Sequence, residues 1–259
     1  MRAMTRDPDR PQARTLAGPG VEVVRGDMED QRTLTRALDG VYGVHAVQNS
    51  HQVGVEGEIR QGMNLADAAK RSDITQFVYS SVASADQRTG IPHFDSKFLI
   101  EEHIRGTGMH YALVRPVFFM ENWLGMREGI ENGVLRLPLE PATRLQMIAV
   151  DDIGGVVAMA FERPGKWQDR TFELAGDELS MAELAHAFTR ICGHEVRYEQ
   201  VPWDEFEAKI GKEMTLMYRW FQETGYRVDI SAVRQEYPRL KTFDQWASAY
   251  WNAAARTAG

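Results

Sequence analysis

Two β-rich runs and the helical stretch between them decide the fold: QFVYSS at residues 76–81, FDSKFLIEEHI at 94–104 and YALVR at 111–115. Short β-rich runs that alternate with longer amphipathic stretches are typical of β-α-β units, whose strands are parallel. The alternation continues in both directions. Further strand-like runs occupy residues 2–5, 21–25, 41–47 and 146–150, and further helix-like segments occupy 32–38 and 59–69. The sequence therefore predicts an α/β fold built on a parallel sheet.

The composition changes after residue 165. Short strands are predicted at 170–174 and 195–198, and Ser180 is expected to cap a helix that ends at Gly193. Aromatic-rich helices are predicted at 203–210, 213–224 and 242–255. We therefore expect a larger domain at 1–165 and a smaller, mainly helical lobe at 166–259, docked on it with some exchange of segments. Asp151 and Asp152 are expected to cap a helix that follows them.

Composition limits the classes of function. The net charge of −7 and the lack of a Lys/Arg cluster argue against direct binding of nucleic acid, which needs a basic surface. No apolar run approaches the ~18 residues of a membrane span. A single cysteine, Cys192, suits a cytoplasmic location, and the seven histidines form no metal-ligand pattern.

Five segments carry a resemblance to the NmrA-like family of atypical short-chain dehydrogenases/reductases. They occur in the family's order and spacing and cover nearly the whole chain. They are RAMTRDP at residues 2–8, GDM at 26–28, QN at 48–49, HFDSK at 93–97 with the acidic pair at 101–102, and LVRPVFFMEN at 113–122.

The resemblance implies a Rossmann-like, doubly wound parallel sheet that lacks its first βα unit. The family begins with a strand, a Gly-x-x-Gly-x-x-Gly turn and a helix, and this sequence has no such unit; Gly18-Pro19-Gly20 precedes the third family strand and cannot replace it. In the order 3-2-1-4-5-6 the first strand is central, so a gap is expected between the second and fourth. The helix N-terminus that holds the pyrophosphate is missing too, so NADP(H) binding is expected to be impaired. Three explanations are open: the coding start lies further upstream, the sequence is a truncated piece of a longer protein, or the protein is naturally shortened and free of cofactor.

The resemblance also assigns site residues. Arg6, at the end of the second family strand, is expected to pair with the 2′-phosphate of NADP(H). Lys97 corresponds to the lysine of the Tyr-x-x-x-Lys pair and is expected to hold the nicotinamide ribose. The tyrosine position is occupied by His93, a candidate acid/base. The other expected cofactor contacts are Asp27, Met28, Gln48, Asn49, Ser80, Phe119, Met120, Glu121 and Asn122.

Three functions remain open at this point. The first is an NADP(H)-linked sensor or regulator acting through a protein partner, which the missing tyrosine favours. The second is an NADPH-dependent reductase of a small carbonyl, enone or quinone, which Lys97 favours. The third is a scaffold without cofactor. Turnover of NADPH with candidate acceptors separates the first two, and titration with NADPH tests the third.

Overall fold

The computed structural model describes residues 1–251, which divide into two compact units. Unit 1 comprises Met1–Ser81, Asp95–Leu113 and Ala160–Thr171, and unit 2 comprises Val82–Phe94, Val114–Met159 and the residues from Phe172 onward. The two units therefore interleave along the chain. The division into domains at 1–165 and 166–259 stays a prediction.

The strands within residues 1–251 are short. They are β1 (Arg2–Thr5), β2 (Glu22–Arg25), β3 (Gly43–Ala46), β4 (Gln76–Ser80), β5 (Tyr111–Pro116), β6 (Phe118–Phe119), β7 (Val134–Leu137), β8 (Arg144–Ile148), β9 (Arg170–Leu174), β10 (Asp177–Ser180) and β11 (Arg197–Gln200).

The α-helices follow the same order along the chain. They are α1 (Pro11–Arg14), α2 (Gln31–Leu38), α3 (Ser50–Arg71), α4 (Pro92–Gly106), α5 (Arg127–Glu131), α6 (Val150–Glu162), α7 (Pro164–Trp167), α8 (Met181–Cys192), α9 (Trp203–Ile210), α10 (Lys212–Glu223), α11 (Ile230–Glu236) and α12 (Phe243–Trp246). Ala85–Gln87 and Met120–Met126 form 3-10 helices, and Ala247–Trp251 forms a π-helical turn. The end of the helix predicted at 242–255 lies outside the described residues.

The sheet is interrupted where the sequence predicts a gap. β1 pairs with β2 in parallel, and β3 pairs with β4 in parallel, but β1 and β3 belong to different sheets. The second sheet has the order β3-β4-β5-β9, and its last two strands run from unit 1 into unit 2. The fold is thus the predicted Rossmann-like α/β architecture, with a break between the second and fourth family strands.

One hydrophobic core holds unit 1 together. It collects apolar side chains from α2, α3 and α4 around β3, β4 and the start of β5. Leu34, Leu65, Phe77 and Ile100 are almost fully buried in it. Met4 of β1 is partly buried against the same cluster, so the separate β1–β2 pair is attached to this core by packing.

Unit 2 is built from two small sheets and short helices. β8 lies between β10, which is antiparallel to it, and β6, which is parallel, while β7 pairs in parallel with β11. Ser180 caps α8 with a capping box, and Gly193 ends this helix at φ 74°, as the sequence predicts. No helix within residues 1–251 is long and apolar enough to cross a membrane.

The expectation that Asp152 caps a helix is wrong. The Asp152 side chain does not cap α6: it is fully buried and accepts hydrogen bonds from the backbone N–H and Nζ of Lys241. Asp152 lies inside α6, which begins at Val150. The strand predicted at 146–150 is shorter at this end, because β8 ends at Ile148. Glu101 of α4 is also fully buried, and it pairs with Arg105 one turn later.

Candidate functional site

The candidate site in unit 1 lies at the carboxyl ends of three strands. Asp27 and Met28 follow β2, Gln48 and Asn49 follow β3, and Ser80 ends β4. Open parallel sheets bind ligands at this edge, because the loops after the strands leave a crevice there. Pairing of β3 with β4 places the residues after these two strands along one edge, and Asp27 and Met28 follow β2 of the separate β1–β2 pair.

Gln48 connects the ends of β2 and β3. Its side chain is buried, and its Nε2 lies 3.5 Å from the Met28 sulfur, across the break in the sheet. The side chains of Asp27 and Asn49 instead form hydrogen bonds with nearby backbone N–H groups. The Asp27 carboxylate accepts from the N–H of Glu29, and the Asn49 side chain accepts from the N–H of His51 as the N-cap of α3.

Lys97 reaches this edge from α4. Its Nζ donates to Glu58 Oε1 at 2.9 Å and to the backbone oxygen of Gln48 at 3.4 Å. It also lies 6.0 Å from the centre of the Tyr79 ring. The Lys97 side chain is 14% exposed, whereas Glu58 is fully buried. The structure thus joins Lys97, Gln48 and Met28 in one cluster.

Three buried polar atoms near this cluster lack hydrogen-bond partners among residues 1–251: Gln48 Oε1, Tyr79 Oη and Ser81 Oγ. Buried polar groups are nearly always paired in folded proteins. Gln48 and Ser81 follow neighbouring strands, so their unpaired oxygens mark the strand edge as a place that a polar ligand can satisfy.

Ser80 and Arg6 differ in their surroundings. The Ser80 hydroxyl is buried and lies 2.9 Å from Nε2 of His45 on the neighbouring strand β3. Arg6, just after β1, is exposed and forms no ion pair with any other residue of the described chain. It is therefore available to an anionic ligand group at the end of β1.

His93 belongs to unit 2, although it precedes Lys97 by one helical turn on α4. Its Nδ1 lies 2.7 Å from Glu213 Oε1 at the start of α10, and its side chain is 12% exposed. Its ring packs edge-on against Phe94, which in turn contacts Trp220. A carboxylate that holds one ring nitrogen fixes the orientation of an imidazole.

In the predicted segment 119–122, Glu121 has a structural role. Its two carboxylate oxygens accept from the backbone N–H of Val150 and from Nε1 of Trp246, so Glu121 supports the start of α6. Met120 is fully buried in unit 2. Phe119 is 38% exposed, and Asn122 is exposed.

Sequence analysis did not identify Glu58, Tyr79 or Glu213. Glu58 had a detectable signal: it lies four residues before Gly62 and seven before Leu65, on the stripe of α3 that faces the core. A charged residue on such a stripe requires a partner. Glu213 had no such signal, because its contact with His93 joins residues 120 positions apart.

Metal ligands are not clustered in the part of the chain that is described: no group of three or more His, Cys, Asp or Glu side chains could hold an ion there. Single side chains engage the others: Lys97 contacts Glu58, Ser80 contacts His45, and Glu213 contacts His93.

Comparison with known proteins agrees with this architecture. The model of the NmrA-like family matches residues 1–247. An NAD(P)H azoreductase of Xenophilus azovorans is 30% identical over 201 residues, which cover 76% of this chain and 68% of the azoreductase.

Two solved structures share the fold. The quinone oxidoreductase QOR2 of Escherichia coli, in complex with NADPH, superimposes with a TM-score of 0.82 at 24% identity, covering 96% of this chain and 90% of that chain. NmrA, a negative transcriptional regulator in complex with NADP, gives a TM-score of 0.81 at 21% identity, with 100% and 89% covered. With the family model matching nearly its whole length, the chain belongs to the NmrA-like family.

Proposed function

We propose that this protein binds NADP(H) at the strand edge of unit 1 and uses NADPH to reduce a small acceptor of the quinone, azo or enone class. The observation that carries the proposal is the Lys97 cluster, in which the ammonium group reaches the backbone oxygen of Gln48, a residue whose side-chain Oε1 is buried without a partner in the described chain. The names of the azoreductase and of the E. coli quinone oxidoreductase support the acceptor class.

The residues present fit the nicotinamide-ribose half of the cofactor. A ribose offers hydroxyl groups, which can donate to Gln48 Oε1 and Ser81 Oγ and accept from Lys97 Nζ. Arg6 would hold the 2′-phosphate, because a guanidinium binds phosphate oxygens in a bidentate manner. Asp27 and Met28 would flank the adenine.

The residues present do not fit the pyrophosphate. After β1 the chain enters α1, a helix of four residues that begins with Pro11 and lacks a side-chain cap. No strand in the described chain leads through a Gly-rich turn into a long helix. We therefore expect residues 1–259 to bind NADP(H) through the ribose and 2′-phosphate alone, and weakly.

The chemistry proposed for unit 1 centres on Lys97. Bound NADPH supplies a hydride, and the reduced acceptor then needs a proton. Lys97 would fix the ribose and so orient the ring that it carries. Solvent can supply this proton. Within unit 2, His93 is a candidate acid/base group, since an imidazole exchanges protons near neutral pH and the Glu213 carboxylate holds its ring.

Steady-state oxidation of NADPH against a panel of quinones, azo dyes and enones tests the proposal. We expect turnover with at least one acceptor and a loss of about 100-fold or more in Lys97→Ala, the range that positioning residues cover. Lys166→Ala is the matched control, because Lys166 is a surface lysine of unit 1 outside the site. Turnover that survives Lys97→Ala would overturn this assignment.

A sensor that binds NADP(H) without turnover is the second candidate. His93 favours it, because an imidazole paired with Glu213 stands where the reductase pattern has a tyrosine. Binding of NADPH without oxidation, together with a changed affinity for a protein partner, would select it. We further propose a cytoplasmic location and a partner that is a small molecule or a regulatory protein rather than a nucleic acid.

A further inference from the structure

Glu58 is a carboxylate in the interior of unit 1, with both of its oxygens engaged by one helix. It lies on α3 and is fully buried. Oε1 accepts from Lys97 Nζ at 2.9 Å, and Oε2 accepts from the hydroxyl of Ser96. Two consecutive residues of α4 therefore hold the same carboxylate from two directions.

The place of Glu58 follows from the close packing of α3 on α4. Gly62 lies one turn after Glu58, and a Cβ at Gly62 would come within 2.6–2.8 Å of the Ile100 side chain on α4. Only a residue without a side chain permits this approach. The same approach brings Glu58 within reach of residues 96 and 97.

Stability alone is a poor explanation for this ion pair. Burial of two charges costs desolvation energy that their attraction only partly offsets, and apolar replacements of such pairs are often neutral or stabilising. Lys97 is not fully buried, so its long side chain could otherwise turn toward water. The pair with Glu58 prevents this motion.

The pair with Glu58 directs the Lys97 ammonium group toward the carboxyl end of β3. From Glu58, the ammonium group also reaches the backbone oxygen of Gln48, directly after β3. A lysine side chain has four rotatable bonds, and fixing them in advance lowers the entropy that a ligand must overcome. A fixed ammonium group beside Gln48 is thus ready for a hydroxyl group of the ligand.

We propose that Glu58 is a positioning residue that holds the Lys97 ammonium group at the carboxyl end of β3, so that NADP(H) meets it in a single orientation. This inference rests on the proposed binding of NADP(H) at Lys97. Ser96 completes the arrangement, because its hydroxyl fixes the second oxygen of the carboxylate. Glu58 itself touches neither cofactor nor acceptor.

The test compares Glu58→Gln with Glu101→Gln. Both residues are fully buried glutamates of unit 1 in ion pairs, but Glu101 pairs with Arg105 rather than Lys97. We expect Glu58→Gln to weaken NADPH binding and lower kcat by about 10-fold, the equivalent of one charge-assisted hydrogen bond. The KM for the acceptor should stay within about twofold, because the acceptor does not contact Lys97 in this proposal. Glu101→Gln should leave all three values unchanged.

A double-mutant cycle separates positioning from general damage to the fold. In a Lys97→Met background the substitution Glu58→Gln should have no further effect on NADPH binding, since its target is gone. Ser96→Ala, which keeps the charge, should give a smaller loss in the same direction. Equal effects of Glu58→Gln and Glu101→Gln, or effects that add in the Lys97→Met background, would overturn the proposal.

The mobility of Lys97 gives a readout that does not depend on the cofactor. After reductive ¹³C-methylation of the lysines, the Lys97 signal should be broad and shifted in the wild type and should sharpen to that of surface lysines in Glu58→Gln. A sharp wild-type signal overturns the positioning role even if NADPH binds. A held Lys97 in a protein that neither binds nor oxidises NADPH overturns the proposed function instead.

Discussion

The Tyr79 hydroxyl is a polar group enclosed in the core of unit 1 without a hydrogen-bond partner among the described residues. Burial, with added repulsion from Glu58 and then Glu101, raises the pKa of Tyr79 well above its ordinary value of about 10. The side chain is therefore kept neutral in the folded protein. An unpaired buried hydroxyl costs about 1–3 kcal/mol.

Tyr79→Phe should therefore stabilise the ligand-free protein by about 1 kcal/mol, because it removes an unpaired polar atom and keeps the ring. The gain should grow above about pH 10, where Tyr79 ionises in the unfolded chain but not in the folded one. Urea unfolding at pH 8 and pH 10.5 measures both effects. Tyr42→Phe, at a half-exposed position, is the control and should change the free energy of unfolding little. A destabilised Tyr79→Phe variant would show that the hydroxyl is paired.

Arg6 allows a second prediction for single residues. Arg6→Ala should lower the affinity for NADPH by about 10-fold and leave that for NADH unchanged, because only NADPH carries the 2′-phosphate. Arg10→Ala is the matched control: Arg10 is also an exposed arginine after β1, and it lies 3.8 Å from Asp7. Fluorescence titration with both nucleotides measures the effect. Equal losses for NADPH and NADH would remove Arg6 from the site.

At the level of secondary-structure elements, the position of the Lys97 side chain depends on the contact between α3 and α4. Gly62→Ala should destabilise the protein by about 1–3 kcal/mol, because the added Cβ would overlap three atoms of Ile100. It should also lower NADPH turnover, because it separates Glu58 from Lys97. Gly154→Ala, on an exposed stretch of α6 with open space around it, should instead stabilise by about 0.5–1 kcal/mol. Thermal unfolding compares the two, and a stabilising Gly62→Ala would contradict the close approach.

The β1–β2 pair should be the least stable part of unit 1. It is a two-stranded sheet without a hydrogen-bonded partner on its other side, and two-stranded sheets are marginal on their own. Hydrogen exchange should therefore be at least about 10-fold faster for the amides of Val23 and Val24 than for those of Phe77 and Val78 in β4. Equal protection in both strands would mean that the break in the sheet is closed in solution.

For the whole molecule, sequence analysis predicted the features that depend on local patterns. The β-rich runs at 76–81 and 111–115 became β4 and β5, and β1 and β3 belong to different sheets, where a gap was predicted. Ser180 and Gly193 bound α8 because capping depends on nearby backbone groups.

The features that sequence analysis missed depend on contacts between distant residues. Glu58 meets Lys97 across 39 positions, and Asp152 meets Lys241 across 89. A spacing pattern shows that a carboxylate faces the core, but it does not show which cation pairs with it. For the same reason Asp152 was assigned to a helix cap, and the contacts of Glu121 with Val150 and Trp246 were not predicted.

The central claim is that the carboxyl ends of the strands in unit 1 form a nucleotide site around Lys97. An NMR titration of the ¹⁵N-labelled protein with NADPH tests it most directly, since it locates even weak binding. We expect saturable shifts at Gln48, Ser81 and Lys97, with a dissociation constant above about 10 μM because the pyrophosphate has no cradle. Lys97→Met should abolish these shifts. Absence of shifts at Gln48 and Ser81 at millimolar NADPH, or shifts unchanged in Lys97→Met, would contradict the claim.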